Sequence, residues 1–339
     1  MEQESLPNRL EPRTGRTRPE ISVVVPLYNE QENLPELYGR LVRTLDEIHC
    51  DFELVLVNDG SRDATTEILH ELACQDWRIV AIHLSRNFGH QAAVSAGIDH
   101  ARGRAVILMD GDLQDPPEVL PQFIDAWHAG SDVVYAVRTK RKEGLVRRTC
   151  YALFYRLFRA ISDLDIPLDS GDFCLMGGQV VDALRQLPER GRFVRGLRSF
   201  VGFKQTGLKY ERAARQAGHS KYTFKIMFRL AVDGLIGFSS LPLSLVTYAG
   251  CCCMALLLAG CGWMAMHAVR HAEVPGWSVA TLAVIGCTGL QLLGLGIISE
   301  YVRRVFLETK ARPTYIVGSI QERPRDGLPA LPQRKPRAA

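Results

Sequence analysis

The sequence predicts an α/β protein, with a mainly parallel sheet covered by helices on both faces and followed by a two-helix transmembrane hairpin. Three observations carry this expectation. Short β-branched runs alternate with helical patterns between residues 21 and 137, as in βα units that feed a parallel sheet. Two long stretches towards the C-terminus lack Asp, Glu, Lys and Arg altogether. Acidic residues recur where the apolar runs stop, and an open parallel sheet binds its ligands at strand ends.

With 339 residues, 47% of them apolar, the chain can build one large domain or two ordinary ones. A net charge of +4 is small for this length, so nucleic acid is not implied as a partner, although the basic residues cluster locally. The nine cysteines include the run Cys251-Cys252-Cys253 but no CxxC pair or Cys/His metal spacing, which argues against a disulfide framework or a zinc site. Residues 1–20 are polar and lack the apolar core of a secretory signal, and they read as a disordered N-terminus.

Strands are expected at "ISVVV" from Ile21, then "FELVLV", "RIVAIHL", "AVILM" and "DVVYAV". Helices are expected between them, near Asn33 to Ile48, Asp63 to Cys74, His90 to Ala101 and Glu118 to Ala129. From Arg138 to about Gly218 the pattern loosens into a basic loop, a helix around Leu145 to Ile161, and a mixed region with "DSGDFCLM" and "ERGRFVRGL". Residues 21–218 therefore read as one domain, without repeats.

Leu241 to Met266 and Trp277 to Ser299 are the uncharged stretches, of 26 and 23 residues. Each suffices to cross roughly 30 Å of hydrocarbon as a helix, giving spans at 241–269 and 277–299. Lys221, Lys225 and Arg229 precede the first span, Arg303, Arg304, Lys310 and Arg312 follow the second, and only Arg270 lies between. The positive-inside rule then places both termini and the α/β domain in the cytoplasm, the chain being an integral protein of the plasma membrane. Charges at 221, 225, 229 and 233 suit juxtamembrane amphipathic helices over 219–240, and 300–339 reads as a cytoplasmic juxtamembrane segment and flexible tail. Ala255, Ala259, Gly286 and Gly289 suit close packing, of the spans together or of protomers in a homo-oligomer.

Candidate functional residues gather after the strands. "VVVPLYNE" ends a strand with Pro26 and leads through Tyr28 to Glu30, while "VNDGSRD" puts Asp59 at the next strand end. Either is compatible with plain loop capping, but their repetition suits a nucleotide pocket. After the third strand come Arg86, suited to a phosphate, and Gly89 before a helix of small residues. "LMDGDLQDPP" crowds Asp110, Asp112 and Asp115 into six positions. Such carboxylates can share Mg²⁺ or Mn²⁺, whose shell a diphosphate completes, or they can simply cap a strand and open a turn before the prolines. The loop "VRTKRKEGLVRR" offers Arg138, Arg147 and Arg148, whose guanidinium forks suit either lipid headgroups or a phosphate monoester. No GxGxxG, P-loop or GxSxG motif is present.

Taken together, "VVVPLYNE", "VNDGSRD", "LSRNFGHQAAVSAGIDHARG", "MDGDLQDPPE", "GHSKYTF", the two spans and "EYVRRVFLETKARPTYIV" resemble the polyprenyl-phosphate glycosyltransferases along roughly residues 20 to 318. This family is typified by bactoprenol glucosyltransferase and related to dolichol-phosphate mannose synthase, among the family-two inverting enzymes of Rossmann-like GT-A fold. The resemblance implies a nucleotide-sugar donor (a UDP-sugar rather than a GDP-sugar), a polyprenyl phosphate acceptor, undecaprenyl or dolichyl, and Mg²⁺ or Mn²⁺ as cofactor. It implies that Pro26, Tyr28, Glu30 and Asp59 line the nucleotide pocket, with Arg86 and Gly89 beside them. Asp110 would sit by ribose and diphosphate and join Asp112 and Gln114 at the metal. Arg138, with Arg148 and its neighbour Arg147, would hold the acceptor phosphate.

The chain departs from the family pattern at Asn58, where an Asp is usual, at Cys174, where an Arg is usual, and at Gly177-Gly178, where an Asp-Arg pair is usual. His219 stands where Glu is common. The stretch "GDFCLMGG" is expected to face the transferred sugar, so its departures bear on sugar identity. Two rival readings are a processive polysaccharide synthase, which needs more spans and a Gln-x-x-Arg-Trp motif absent here, and a catalytically silent membrane partner of a glycan assembly or flippase complex.

Overall fold

The computed structural model describes residues 18–138, 170–187, 189, 192–210, 248, 259 and 276–323. The chain divides into two compact units: Met1–Glu143 with Ile166–Ser220 and Pro313–Ala339, and Gly144–Asp165 with Lys221–Arg312.

In the first unit, β1 (Ile21–Leu27), α1 (Leu34–Glu47), β2 (Phe52–Asn58), α2 (Thr65–Gln75), β3 (Ile79–Leu84), α3 (His90–His100) and β4 (Ala105–Leu108) alternate as expected. They are followed by α4 (Leu120–His128), β5 (Val133–Arg138), β6 (Ser170–Gly177), α5 (Gly178–Gln186), α6 (Val194–Phe200) and β7 (Gln205–Tyr210). Together with β8 (Val317–Glu322), the strands form one eight-stranded sheet in the order β7-β5-β6-β4-β1-β2-β3-β8. Pairing is parallel along β3-β2-β1-β4 and between β5 and β7, whereas β6 runs antiparallel to both neighbours and β8 runs antiparallel to β3. The sheet is therefore mainly parallel.

Every residue of β1, β2 and β4 is buried, which explains their near-continuous apolar runs: a sheet covered on both faces leaves no solvent side to alternate towards. Leu34, Leu37, Leu41 and Leu45 repeat at helical spacing and turn one face of α1 onto the sheet. On α3 the small residues admit close approach: a Cβ on Gly97 would lie 2.2 Å from Cγ1 of Val24. Beyond β4, Phe173 of β6 packs on Phe123 at 4.7 Å between ring centroids and meets Tyr210 edge-on at 5.8 Å.

Three strands depart from the sequence reading. β6 is the stretch "SGDFCLMG" from the region expected to be mixed, β7 reads "QTGLKY", and β8 lies in the segment expected to be a tail. The expected helix near 145–161, the juxtamembrane helices of 219–240 and most of the first span lie outside the described residues.

In the second unit, the second expected span falls within a single 34-residue helix, α7 (Gly276–Thr309). Val284, Leu295, Val302, Val305 and Phe306 on it are exposed. Among the described residues, no helix is long and apolar enough to cross a membrane.

Candidate active site

Because β1 to β4 are parallel, the loops after Leu27, Asn58, Leu84 and Leu108 all emerge at one edge of the sheet. The order β3-β2-β1-β4 reverses between β1 and β4, and a crevice opens at such a switch point. Pro26, Tyr28 and Glu30 border it from the β1 side, Asp110 and Asp112 from the β4 side.

Hydrogen bonds lace the first two loops together. Asn29, at φ 55°, donates its N–H to Ser61 Oγ (3.0 Å) and accepts from Arg62 N–H at Oδ1 (2.9 Å). The Glu30 N–H donates to Thr65 Oγ1 (2.9 Å), and its carboxylate accepts from Asn33 Nδ2 (2.7 Å). Asn58 accepts from the Ser61 N–H and donates through Nδ2 to Thr66 Oγ1 and towards Nδ1 of His83, 3.3 Å away.

Asp59 ties the second loop to the third. Its two carboxylate oxygens accept the N–H groups of Phe88 (2.7 Å) and Gly89 (2.9 Å), while burial still pushes its carboxyl above the usual range. Asp59 thus shapes the loop that carries Arg86 and Gly89. Exposed Arg86 lies over the Phe88 ring, 4.1 Å from its centroid.

The fourth loop holds the acidic cluster. The Asp112 carboxylate accepts from the Gln114 N–H (3.2 Å), across Leu113 at φ 57°. Asp115 is not merely the opening of a turn: it is fully buried and accepts from the hydroxyl of Tyr210 on β7. Asp110 is met by a residue that the sequence reading did not single out. Nε2 of His90, the first residue of α3, lies 3.7 Å from Oδ1 of Asp110 and 3.6 Å from Oδ2 of Asp172 on β6. Arg195 of α6 completes the chain, 3.3 Å from Oδ1 of Asp172.

The electrostatics sort these groups. Burial, with the nearby charges of Asp172, Asp115 and Asp112, pushes the Asp110 carboxyl up to about 6, with His90 opposing. Burial acts on Asp172 in the same sense, but Arg195, His90 and Arg198 overcome it and hold its carboxyl well below the usual range. Burial pulls His90 down, yet its hydrogen bond to Asp172 and the two carboxylate charges leave it raised. The Asp110 carboxylate is therefore the least compensated of these groups, held by burial and its acidic neighbours in a setting that disfavours its charge.

A cation beside Asp110 would relieve that cost. Among the described residues, no group of three or more His, Cys, Asp and Glu side chains converges as a metal cage. The donor set instead fits a cation that takes one or two carboxylates and fills its shell with phosphate oxygens and water.

Arg138 is the last residue of β5, paired with Tyr210 on β7, whereas Arg147 and Arg148 lie outside the described residues. Of the departures on β6, Cys174 pairs with Leu108, near the edge where the loops after β1 to β4 emerge. Arg198, fully buried on α6, reaches the Cys174 thiol, so a guanidinium stands in this neighbourhood although position 174 lacks one. Gly177 pairs with Ala105, three residues further back, roughly 10 Å from that edge. The expectation that Gly177-Gly178 face the transferred sugar is corrected accordingly: β6 runs antiparallel and carries them to the opposite edge.

His90, Asp172 and Arg195 eluded sequence reasoning because three separate elements bring them together. "NFGHQ" and "GDFCLM" held the signal only as an unpaired His and an unpaired Asp beyond the apolar runs.

This arrangement, an acidic switch-point crevice in a mainly parallel sheet with an antiparallel insertion, defines a GT-A-type α/β domain. Residues 22–184 match the family described as glycosyl transferase family 2. An uncharacterised glycosyltransferase of Bacillus subtilis, YkcC, is 46% identical over 303 residues, 87% of this chain and 92% of the relative. The bactoprenol glucosyl transferase of Shigella phage SfX is 39% identical over 302 residues, 88% and 99% of the two chains. A prophage bactoprenol glucosyl transferase homolog of Escherichia coli is 38% identical over 305 residues, 89% and 99%. The chain belongs to glycosyl transferase family 2 and is a glycosyltransferase.

Proposed function

We propose that the enzyme transfers a sugar, glucose or one like it, from a UDP-sugar to a polyprenyl phosphate at the cytoplasmic face of a bacterial plasma membrane. The observation that carries this reading is the acidic crevice between the β1 and β4 strand ends. Its support is the similarity, along nearly their full length, to proteins named bactoprenol glucosyl transferase.

In this reading Pro26, Tyr28, Glu30 and Asp59 receive the nucleotide, with Arg86 and Gly89 at the diphosphate. Asp110 and Asp112, with Gln114, hold Mg²⁺ or Mn²⁺. Once bound, the cation neutralises charge that builds on the departing diphosphate. Arg138, Arg147 and Arg148 hold the acceptor phosphate in line with the anomeric carbon. A phosphate monoester has its second pKa near roughly 6 and is already largely ionised at neutral pH, so its oxygen attacks without a general base. The new C–O bond forms as the bond to the nucleoside diphosphate breaks, with inversion. Arg195 and His90 keep the Asp172 carboxylate fixed and charged beside this centre.

The stretches 241–269 and 277–299 act as a membrane hairpin that holds the domain at the leaflet containing the acceptor. The test is to incubate membranes containing the full chain with radiolabelled UDP-glucose, UDP-N-acetylglucosamine or GDP-mannose plus undecaprenyl or dolichyl phosphate. A labelled lipid is expected with a UDP-sugar; label confined to water-soluble products with every donor would overturn the reading.

A further inference from the structure

The segment that follows α7 grips the catalytic unit at two points. The hydroxyl of Tyr315 donates to Oδ2 of Asp99 (2.9 Å), in the last turn of α3. The carbonyl of the next residue, Ile316, accepts the N–H of Ser85 (2.9 Å), where β3 gives way to the loop before α3. Two adjacent residues thus hold both ends of one continuous piece, Ser85 to Asp99. That piece carries Arg86, the two amides that Asp59 captures, and His90.

Other contacts make the attachment firm. β8 continues from Ile316 as an antiparallel partner of β3. The far end of α3 is fixed independently: Arg185 donates to the carbonyls of Ile98 and Ala101, and Arg192 lies 3.3 Å from Asp99. The ring of His100 approaches that of Tyr315, at 6.4 Å between centroids. Close packing of Gly97 on Val24 leaves α3 little room to tilt. With one end of the helix pinned, its first turn and the loop before it have a fixed origin.

We propose that Tyr315 is a positioning residue: through Asp99 and the Ile316–Ser85 hydrogen bond, the C-terminal arm clamps the loop and helix that present Arg86, Gly89 and His90 to the donor. The functional half of this inference rests on the assignment of that loop to the nucleotide diphosphate.

The test compares the full-length protein with Tyr315→Phe and Asp99→Leu, which remove the donor and the acceptor of that hydrogen bond and roughly keep shape. Amide hydrogen exchange over residues 85–100 should quicken in both variants while β2 (Phe52–Asn58) stays protected. UDP binding, measured with Mn²⁺ present, should weaken about fivefold, the size of one lost hydrogen bond. Asp99 also meets Arg192, so the double variant should lose little more than the Asp99 variant alone. Unchanged exchange over 85–100, or exchange that rises equally in β2, would overturn the clamp. Faster local exchange with unchanged UDP affinity would uphold the clamp and overturn the assignment of the loop to the donor.

Discussion

Nε2 of His90 lies 3.7 Å from Oδ1 of Asp110, so the first residue of α3 meets the loop that closes β4. The same nitrogen lies 3.6 Å from Asp172 on β6, which makes one imidazole the link between three elements. On the proposal that Asp110 holds the metal, His90→Ala should lower sugar transfer by about 10–100-fold, as losses beside a metal ligand commonly do. The side chain is 38% exposed, so the melting temperature should move little. Steady-state assays paired with thermal melts check this; a large stability loss with preserved turnover would reverse the assignment.

Asp112 and Asp115 stand three residues apart but answer to different tests. Asp112→Asn should reduce metal-dependent transfer by roughly 10²-fold or more and leave the fold intact. Asp115→Ala should instead destabilise the domain, by about 1–3 kcal/mol, because it leaves the buried Tyr210 hydroxyl without its acceptor. Circular dichroism melts beside activity assays separate the two outcomes.

Gly97 predicts a packing limit. A Cβ there would lie 2.2 Å from Cγ1 of Val24, and both residues are buried in the contact of α3 with β1. Gly97→Val should cost about 1–3 kcal/mol or more, whereas Gly39→Ala on α1, with open space around it, should be neutral or slightly stabilising. Denaturant melts of the two variants make the comparison.

Stability should also fall in acid through Asp76. Burial would raise its carboxyl, but Arg78 and the Tyr38 hydroxyl outweigh burial and hold it below the usual range. A carboxylate with a depressed folded pKa stabilises fully above its unfolded value, near roughly 4, and loses that contribution as pH falls through the folded value. The melting-temperature gap between wild type and Asp76→Asn should therefore be wide at neutral pH and close below about pH 4.

How legible the molecule is in its sequence follows from what each element needs. β1 to β5 are readable because buried parallel strands show as apolar runs, and their loops because Gly, Asp and Asn mark the strand ends. β6 interrupts its run with Gly171 and Asp172, and β8 is a polar edge strand, so neither has a local signature. The same reason hides half of the acidic centre. Asp110 and Asp112 share one motif, but Asp172 joins them only once β6 inserts beside β4. Asp115 looks like turn chemistry until β7 brings Tyr210 to it.

The central claim is that the acidic crevice moves a sugar onto a lipid phosphate. It is tested most directly with the purified full-length protein, radiolabelled UDP-glucose and undecaprenyl phosphate, followed by organic extraction with and without Mn²⁺. The account predicts label in the lipid phase that requires both the cation and the lipid phosphate and disappears in Asp112→Asn. Lipid labelling that survives that substitution, or label that never leaves the aqueous phase, would contradict it.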